Sequence, residues 1–400
     1  MTRHAVISGA GIAGPALAGQ LNDIGWRTTV VERYPERRDD GQNVDVRGVA
    51  REVARRMGIE DAIRAATTGE IGMRFLDENG KPVASFPVSH DGQTDGPTAE
   101  LEILRGELSR IVVERSRDRT DYRFDTQIAD LTDHGDGVTV ALSDGSSVDA
   151  DLVVIAEGLR SRSRRFVTSV DVNDLGMFFA YVTIPRDESD DQWWNWQHAT
   201  ASRTVHLRPD NLGTTRAILT FISDVRGLET LQVADQITIL RRTFAGVGGA
   251  APRVLDALDD GAPLYFSAVG QVSTPAWSKG RVALLGDAAF CNATFGGVGT
   301  SFALIGAYVL AGELSRTDDV RTALTGYEQY MRSELVDRTP PVRMRVLRLA
   351  NPRTRTGIRL LHTGARVITS PTGQAVSKLA GKRLMRVSAE EVRLPDYSTA

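Results

Sequence analysis

Gly9-Ala10-Gly11-Ile12-Ala13-Gly14 follows directly on a short apolar stretch, Ala5 to Ser8, and leads into a segment carrying Leu17, Leu21 and Ile24. This is the spacing of a strand, a tight turn and a helix. Gly9 allows the turn, Gly11 lets the backbone approach a pyrophosphate, and Gly14 lets the helix pack closely on the sheet, with the N–H groups of Ile12, Ala13 and Gly14 facing the phosphates. Glu32 ends a second apolar strand 18 residues beyond Gly14, close to the ~20 expected of the acid that accepts a ribose 2′-hydroxyl. A 2′-phosphate would be repelled there.

A second nucleotide signal, whose Gly286 lies 272 residues beyond Gly14, is Gly280-Arg281-Val282-Ala283-Leu284-Leu285-Gly286-Asp287-Ala288-Ala289. Val282 to Leu285 reads as a buried strand. It is followed by Phe295-Gly296-Gly297-Val298-Gly299-Thr300 and the apolar stretch Ser301 to Leu314. Gly297, Gly299 and Thr300, ahead of a helix, offer free N–H groups to an electron-rich ligand edge. Asp287 has two readings, an acceptor for cofactor hydroxyls or a helix N-cap. The two signals make sense together if one long cofactor is gripped at both ends, and FAD is such a cofactor.

Strand-like and helix-like segments alternate through residue 165: strands at 4–8 and 28–32, helices at 12–24, 48–57 and 106–117. That rhythm argues an α/β fold with a Rossmann-like sheet. Residues 70–90 break it with short strands around a turn at Glu78-Asn79-Gly80-Lys81. Residues 174–224 break it with Met177 to Ile184, Arg203 to Leu207 and Thr214 to Ile222. The expected organisation is a discontinuous FAD-binding domain (1–69, 91–168 and 274–320), interleaved with an antiparallel β-sheet substrate domain (70–90 and 169–273) and followed by a C-terminal helical segment (321–400). Strand alternation puts Trp194 and Trp196 on one face and Trp193 and Asn195 on the other. Phe178, Trp194 and Trp196 are therefore candidate substrate walls by sheet position, and Thr294 and Phe295 by their place before the glycines.

The chain resembles the FAD-dependent aromatic hydroxylase family, typified by para-hydroxybenzoate hydroxylase, and within it the branch of tetracycline-inactivating monooxygenases. The resemblance spans roughly residues 3 to 330. It rests on Gly9 to Gly14 with Glu32-Arg33, on Arg105 in Ile103-Leu104-Arg105-Gly106-Glu107-Leu108, on Asp151 to Gly158 with Ser161 and Arg164 behind it, and on Gly286-Asp287-Ala288-Ala289. It implies that Arg33 and Arg105 touch the cofactor and that Asp45 to Arg47 lie near the isoalloxazine. It departs from the family where Glu157 replaces Asp, Phe290 replaces His, Thr294 replaces Pro and Thr300 replaces Asn.

The resemblance implies a single-component FAD monooxygenase. NAD(P)H would reduce the flavin, O2 would form a flavin hydroperoxide, and one oxygen would pass to an electron-rich aromatic or polycyclic, polyketide-like small molecule. The cofactor then carries the chemistry, which accounts for the lack of a catalytic triad or acid pair. A flavin oxidase or reductase of the same fold, and a non-catalytic flavin-binding protein, remain alternatives at this point.

Composition excludes other classes. A net charge of −3 gives no reason to expect a nucleic-acid partner, and no apolar run is long enough for stable membrane insertion. The six histidines show no metal-ligand spacing, so no metal is expected. One cysteine, Cys291, rules out an internal disulfide and fits a reducing cytoplasm, and a cytoplasmic protein without a signal peptide is the expectation. The charge is uneven, however: Arg332 to Arg386 holds thirteen Lys or Arg against only Glu334 and Asp337. The expected reading is a helical segment packed back across the molecule with its arginines in water.

Overall fold

Strand β1 (His4–Ser8) is buried along its whole length and pairs in parallel on both sides, with Leu152–Ile155 and with β2 (Arg27–Val31). The computed structural model describes residues 2–39, 42–88, 99–293, 298–370 and 392–397. In it, β1 sits inside a six-stranded sheet ordered Ser278–Lys279, Val282–Leu284, Leu152–Ile155, β1, β2, Thr120–Arg123. Every pairing is parallel except that of the Ser278–Lys279 edge. Ser8, Ile155 and Leu284 lie in register at the carboxyl ends of their strands. Residues 9, 157 and 287, remote in sequence, therefore emerge side by side at the edge where open α/β sheets bind ligands.

Helix α1 (Ala13–Asp23) leaves the glycine turn and is buried over most of its length. It packs between the helices Arg105–Ser116 and Gly299–Arg316. The second of these is apolar nearly all round, and it is buried from Ser301 to Gly312, as such a helix must be. The segment Val392–Tyr397 straps across it. Tyr308 donates to the Pro395 carbonyl at 3.0 Å and Tyr397 donates to Glu313 at 2.7 Å.

The second sheet has eight strands, ordered Phe290–Asn292, Leu264–Ser273, Asn173–Pro185, Thr214–Ile222, Arg203–Pro209, Trp193–Ala199, Gly72–Leu76, Pro82–Pro87. It is antiparallel except where Trp193–Ala199 runs parallel to Gly72–Leu76. The alternation at 70–90 and 174–224 predicts an antiparallel sheet, and this one pair departs from it. Between Pro82–Pro87 and this sheet's next strand, Asn173–Pro185, the chain adds Thr120–Arg123 and Leu152–Ile155 to the first sheet, and strands separated by so long a connection are free to pair in parallel. Phe290–Asn292 also pairs with this sheet, although it lies within the 274–320 stretch assigned to the other lobe.

One face of the second sheet is covered by two helices, Val233–Phe244 and Ala251–Asp259, which the sequence reading did not resolve. Phe178, Phe221 and Phe266 pack against Leu240, Phe244 and Val254 there. After the second sheet the chain forms the helices Val320–Met331, Met344–Ala350 and Arg355–Thr369, the last lying on Pro82–Pro87 and Trp193–Ala199.

The turn tolerates no bulk. A Cβ on Gly14 would fall 2.0 Å from the Gly9 carbonyl oxygen. Gly14→Ala is expected to lower stability by about 1–3 kcal/mol. Gly364→Ala, in an exposed helix with nothing near its Cβ, should instead gain about 0.5–1 kcal/mol. Urea midpoints of the two variants check both signs.

Candidate active site

The turn after β1 opens into a cavity of about 930 Å³ that extends to the second sheet. Gly9, Ala10, Gly11, Ile12 and Ala13 line one end together with Glu32 and Arg33. The glycines differ in use. A Cβ on Gly9 would lie 2.5 Å from the Ala156 carbonyl oxygen, and φ there is +112°; a Cβ on Gly11 would meet only Arg105, at 3.4 Å. Gly11 is thus the residue whose missing side chain leaves room for a ligand. Gly14 packs against Gly9 and does not reach the cavity.

Glu32 braces the turn. Its carboxylate accepts from the Ala10 N–H at 2.8 Å and from the Tyr34 N–H at 3.1 Å. An ionised carboxylate has about four acceptor sites, so two are left for a ligand hydroxyl. Arg33 stacks beside Tyr34 on the same rim. Arg47 pairs with Asp45 and lines the cavity with it.

Asp287, Gly299 and Thr300 line the middle of the cavity with Arg105. A Cβ on Gly299 would lie 3.3 Å from the Asp287 carboxylate, which places that carboxylate at the N-terminus of the helix Gly299–Arg316. Burial pushes the Asp287 carboxyl above its ordinary range, and Arg105, the Cys291 thiol and Arg164 offset this only in part. Gly297, Thr294 and Phe295, all expected at the site, lie outside the described residues.

Glu157, the departure from the family's Asp, is occupied inside the protein. It accepts from the Ser8 hydroxyl at 2.6 Å, the Ser161 hydroxyl at 2.8 Å and the Ser163 N–H at 3.0 Å. Burial opposes its ionisation, but the bonds from Ser163, Ser8 and Ser161 outweigh burial and hold the carboxyl below its ordinary range. Next to it, buried Arg164 donates to the Leu159 carbonyl at 2.6 Å and the Ala288 carbonyl at 2.8 Å. The loop after Leu152–Ile155 is thereby tied to the loop after Val282–Leu284.

The far end of the cavity is aromatic. Trp194 and Trp196 line it, as alternation requires, while Trp193 turns to the opposite face, with Arg74 over its ring. Phe178, expected on the same wall, is instead fully buried against the helices behind the sheet. Its neighbours Phe179 and Tyr181 face the cavity. Both faces of Asn173–Pro185 are apolar because both are covered, so hydrophobicity alone did not fix which set points inward.

Residues the sequence reading missed hold this wall in place. Trp194 Nε1 donates to His206 Nδ1 at 3.2 Å, and His206 Nε2 donates to Thr204 Oγ1 at 2.6 Å, which in turn bonds Thr220. The Arg208 guanidinium lies 3.8 Å from the centre of the Trp194 ring. Arg208 is held by both oxygens of Glu70, at 2.9 and 3.1 Å, and by Glu102 at 2.6 Å. Burial, reinforced by the charge of Glu102, pushes Glu70 well above the carboxylate range in spite of Arg208. His-Leu-Arg at 206–208 was a usable signal, since two polar residues at period two in an apolar strand face the same side.

Residues 2–328 match the FAD binding domain family, and the chain belongs to it. Along 98% of its length it is 36% identical to the flavin-dependent monooxygenase eupH of Phoma sp, covering 97% of that protein. It is 30% identical to the FAD-dependent monooxygenase asL4 of Sarocladium schorii, with 98% and 97% of the two chains covered. Its structure superimposes on that of tetracycline destructase Tet(51) with a TM-score of 0.78 and 26% identity, over 99% of each chain. Klebsiella pneumoniae HpxO complexed with FAD and uric acid shares the fold, with a TM-score of 0.77 at 21% identity over 94% and 95% of the chains. The protein is an FAD-dependent monooxygenase. The cavity fits that cofactor: a glycine turn open at Gly11 with Glu32 beside it, Asp287 further along, and Arg105 near both Gly11 and Asp287.

If Glu32 and Asp287 grip the two ends, Glu32→Ala and Asp287→Ala should each weaken FAD binding by roughly 1.5–3 kcal/mol. Calorimetric titration of the apoproteins measures it, and unchanged affinity in both would contradict the two-ended grip.

His198 supplies a pH prediction. Its Nε2 donates to the Ala350 carbonyl at 3.1 Å and its Nδ1 accepts from His362 Nε2 at 3.1 Å. Burial, aided by His362, pulls its pKa down to about 4. The unfolded chain takes up this proton first, so stability should fall as pH drops from about 6.5 to about 4, by on the order of 3 kcal/mol. The slope of denaturant midpoints over that window should flatten in His198→Asn.

Proposed function

We propose that this monooxygenase hydroxylates an electron-rich, planar aromatic or polycyclic, polyketide-like small molecule, with NAD(P)H as reductant and O2 as oxidant. The balance is one NAD(P)H, one proton, one O2 and one aromatic C–H giving NAD(P)+, water and one aromatic C–O–H. Bound FAD would supply the two-electron reduction and the transfer of one oxygen atom.

The observation that carries this reading is the aromatic chamber continuous with the FAD turn. Phe179, Tyr181, Trp194, Trp196, Ile218 and Tyr265 line it, and a flat apolar substrate would stack on such walls. The chain's part would be to bind, orient and keep water away. Trp194 is fixed by hydrogen bonding to His206 and by Arg208 over its ring, so little order is lost when a planar molecule docks on it. Arg208, already paired with Glu70 and Glu102, adds little net charge to the wall and suits an uncharged ring better than a free cation would. Tetracycline destructase Tet(51), whose name states its substrate, is a relative consistent with a polycyclic ligand.

Purified protein loaded with FAD should consume NAD(P)H faster with one class of phenol or polycyclic aromatic than without it. With isotopically labelled O2, one labelled atom should enter the product and the peroxide yield should fall. Stoichiometric peroxide with an unlabelled product would replace this reading with that of an oxidase.

A further inference from the structure

Between Asp337 and Glu390 the sequence has no acidic residue. Within that span the described residues hold Arg338, paired with Glu334 at 3.3 Å, and beyond it Arg343, Arg345, Arg348, Arg353, Arg355, Arg359 and Arg366. None of the last seven guanidinium groups has an ion pair among the described residues. Elsewhere on the surface Arg51, Arg64, Arg110, Arg119 and Arg241 each hold a carboxylate.

The same segment exposes apolar side chains. In the helix Met344–Ala350, Val346 is 54% and Leu349 is 72% exposed; in the helix Arg355–Thr369, Leu360 is 74%, Val367 61% and Ile368 49% exposed. Leu360 and Val367 are seven residues apart, so they lie on one line along the helix. Arg359 and Arg366 flank that line at the same spacing. On the inner side, Leu361 and Ala365 pack against Phe75, Phe86 and Trp196. A surface helix ordinarily turns one apolar stripe inward and polar residues outward. This helix carries apolar residues on both sides.

We propose that the helices Met344–Ala350 and Arg355–Thr369 dock on an anionic lipid surface, with Leu349, Leu360 and Val367 entering the acyl boundary and the arginines binding headgroup phosphates. The pattern of an apolar ridge edged by unpaired arginines is that of an interfacial helix. A second copy of the chain is a poorer occupant, since a two-fold contact would set the same unpaired arginines against one another. A nucleic acid would match the arginines and leave the apolar ridge in water. No helix among the described residues is long and apolar enough to cross a membrane, so the contact is at the surface.

The geometry also gives docking a use. The inner face of Arg355–Thr369 backs Trp196, which lines the cavity. Docking therefore brings the aromatic chamber to the phase where apolar polycycles concentrate. That consequence rests on the function proposed above; the docking itself does not, and vesicle binding tests it without turnover.

Full-length protein loaded with FAD should float with phosphatidylcholine vesicles containing phosphatidylglycerol and not with phosphatidylcholine alone, and added salt should release it. Arg355→Ala/Arg359→Ala/Arg366→Ala should weaken partitioning on the order of a hundredfold. Leu360→Asp/Val367→Asp should abolish it. Both variants change exposed side chains, and an unchanged FAD content and melting temperature would confirm their fold. The proposal is overturned if the parent protein ignores anionic vesicles or if both variants bind as it does. A dimer that the Leu360→Asp/Val367→Asp variant dissociates, with no vesicle binding by the parent, overturns it equally.

Discussion

The close passage of the chain at residue 9 past the Ala156 carbonyl is the constraint on which the rest of the structure depends. Any Cβ on Gly9 would overlap that carbonyl, so only glycine lets β1 and Leu152–Ile155 stay paired to their ends while the chain turns into α1. From that contact the neighbouring interactions follow. Ser8 reaches Glu157, Glu32 reaches the Ala10 N–H, and Arg164 spans to Ala288. Each links one strand end to the next, and together they fix the carboxyl edge of the sheet that lines the cavity. The position of Glu157 in this chain of contacts gives its longer side chain a structural use: it fills the space between Ser8 and the Ser161–Ser163 turn.

Much of this edge was legible in the sequence, because a glycine turn has few physical uses and Glu32 stands at the distance one of them requires. The strand and helix around it end within a residue or so of where the spacing puts them. Asp287 was legible as an acid at a strand exit, though its carboxylate is placed by the register of Val282–Leu284 against Leu152–Ile155, which no local pattern encodes. The same holds for the parallel pairing of Trp193–Ala199 with Gly72–Leu76.

The second sheet was half legible. Alternation separates two sets of residues along a strand without saying which set faces which neighbour. For Trp193 to Ala199 one face carries polar residues, and the inward set was clear. For Asn173–Pro185 both faces are apolar, and Phe178 was assigned inward although it packs on Leu240 and Phe244. Recognising Val233–Phe244 and Ala251–Asp259 as helices would have supplied the missing layer. The Arg208, Glu70 and Glu102 cluster was invisible for another reason: its members come from three separate strands or loops, and only their burial together makes them one group.

That cluster explains why the cavity wall is rigid while its charge stays low. Removing a single carboxylate would leave a buried guanidinium short of a partner, which costs far more than the pair contributes; retaining two sets like charges side by side, and Glu102 adds to burial in raising Glu70. The guanidinium lying on Trp194 is thereby fixed from behind, and Trp194 is fixed in turn by His206 and Thr204. The opposite arrangement holds at the C-terminal helices, where arginines stand in solvent with no carboxylate among the described residues to meet them. The chain pairs its cations at the cavity wall and over much of its surface. Among the described residues, the arginines of Met344–Ala350 and Arg355–Thr369 are left without a carboxylate, and the second of these helices packs beside Trp196.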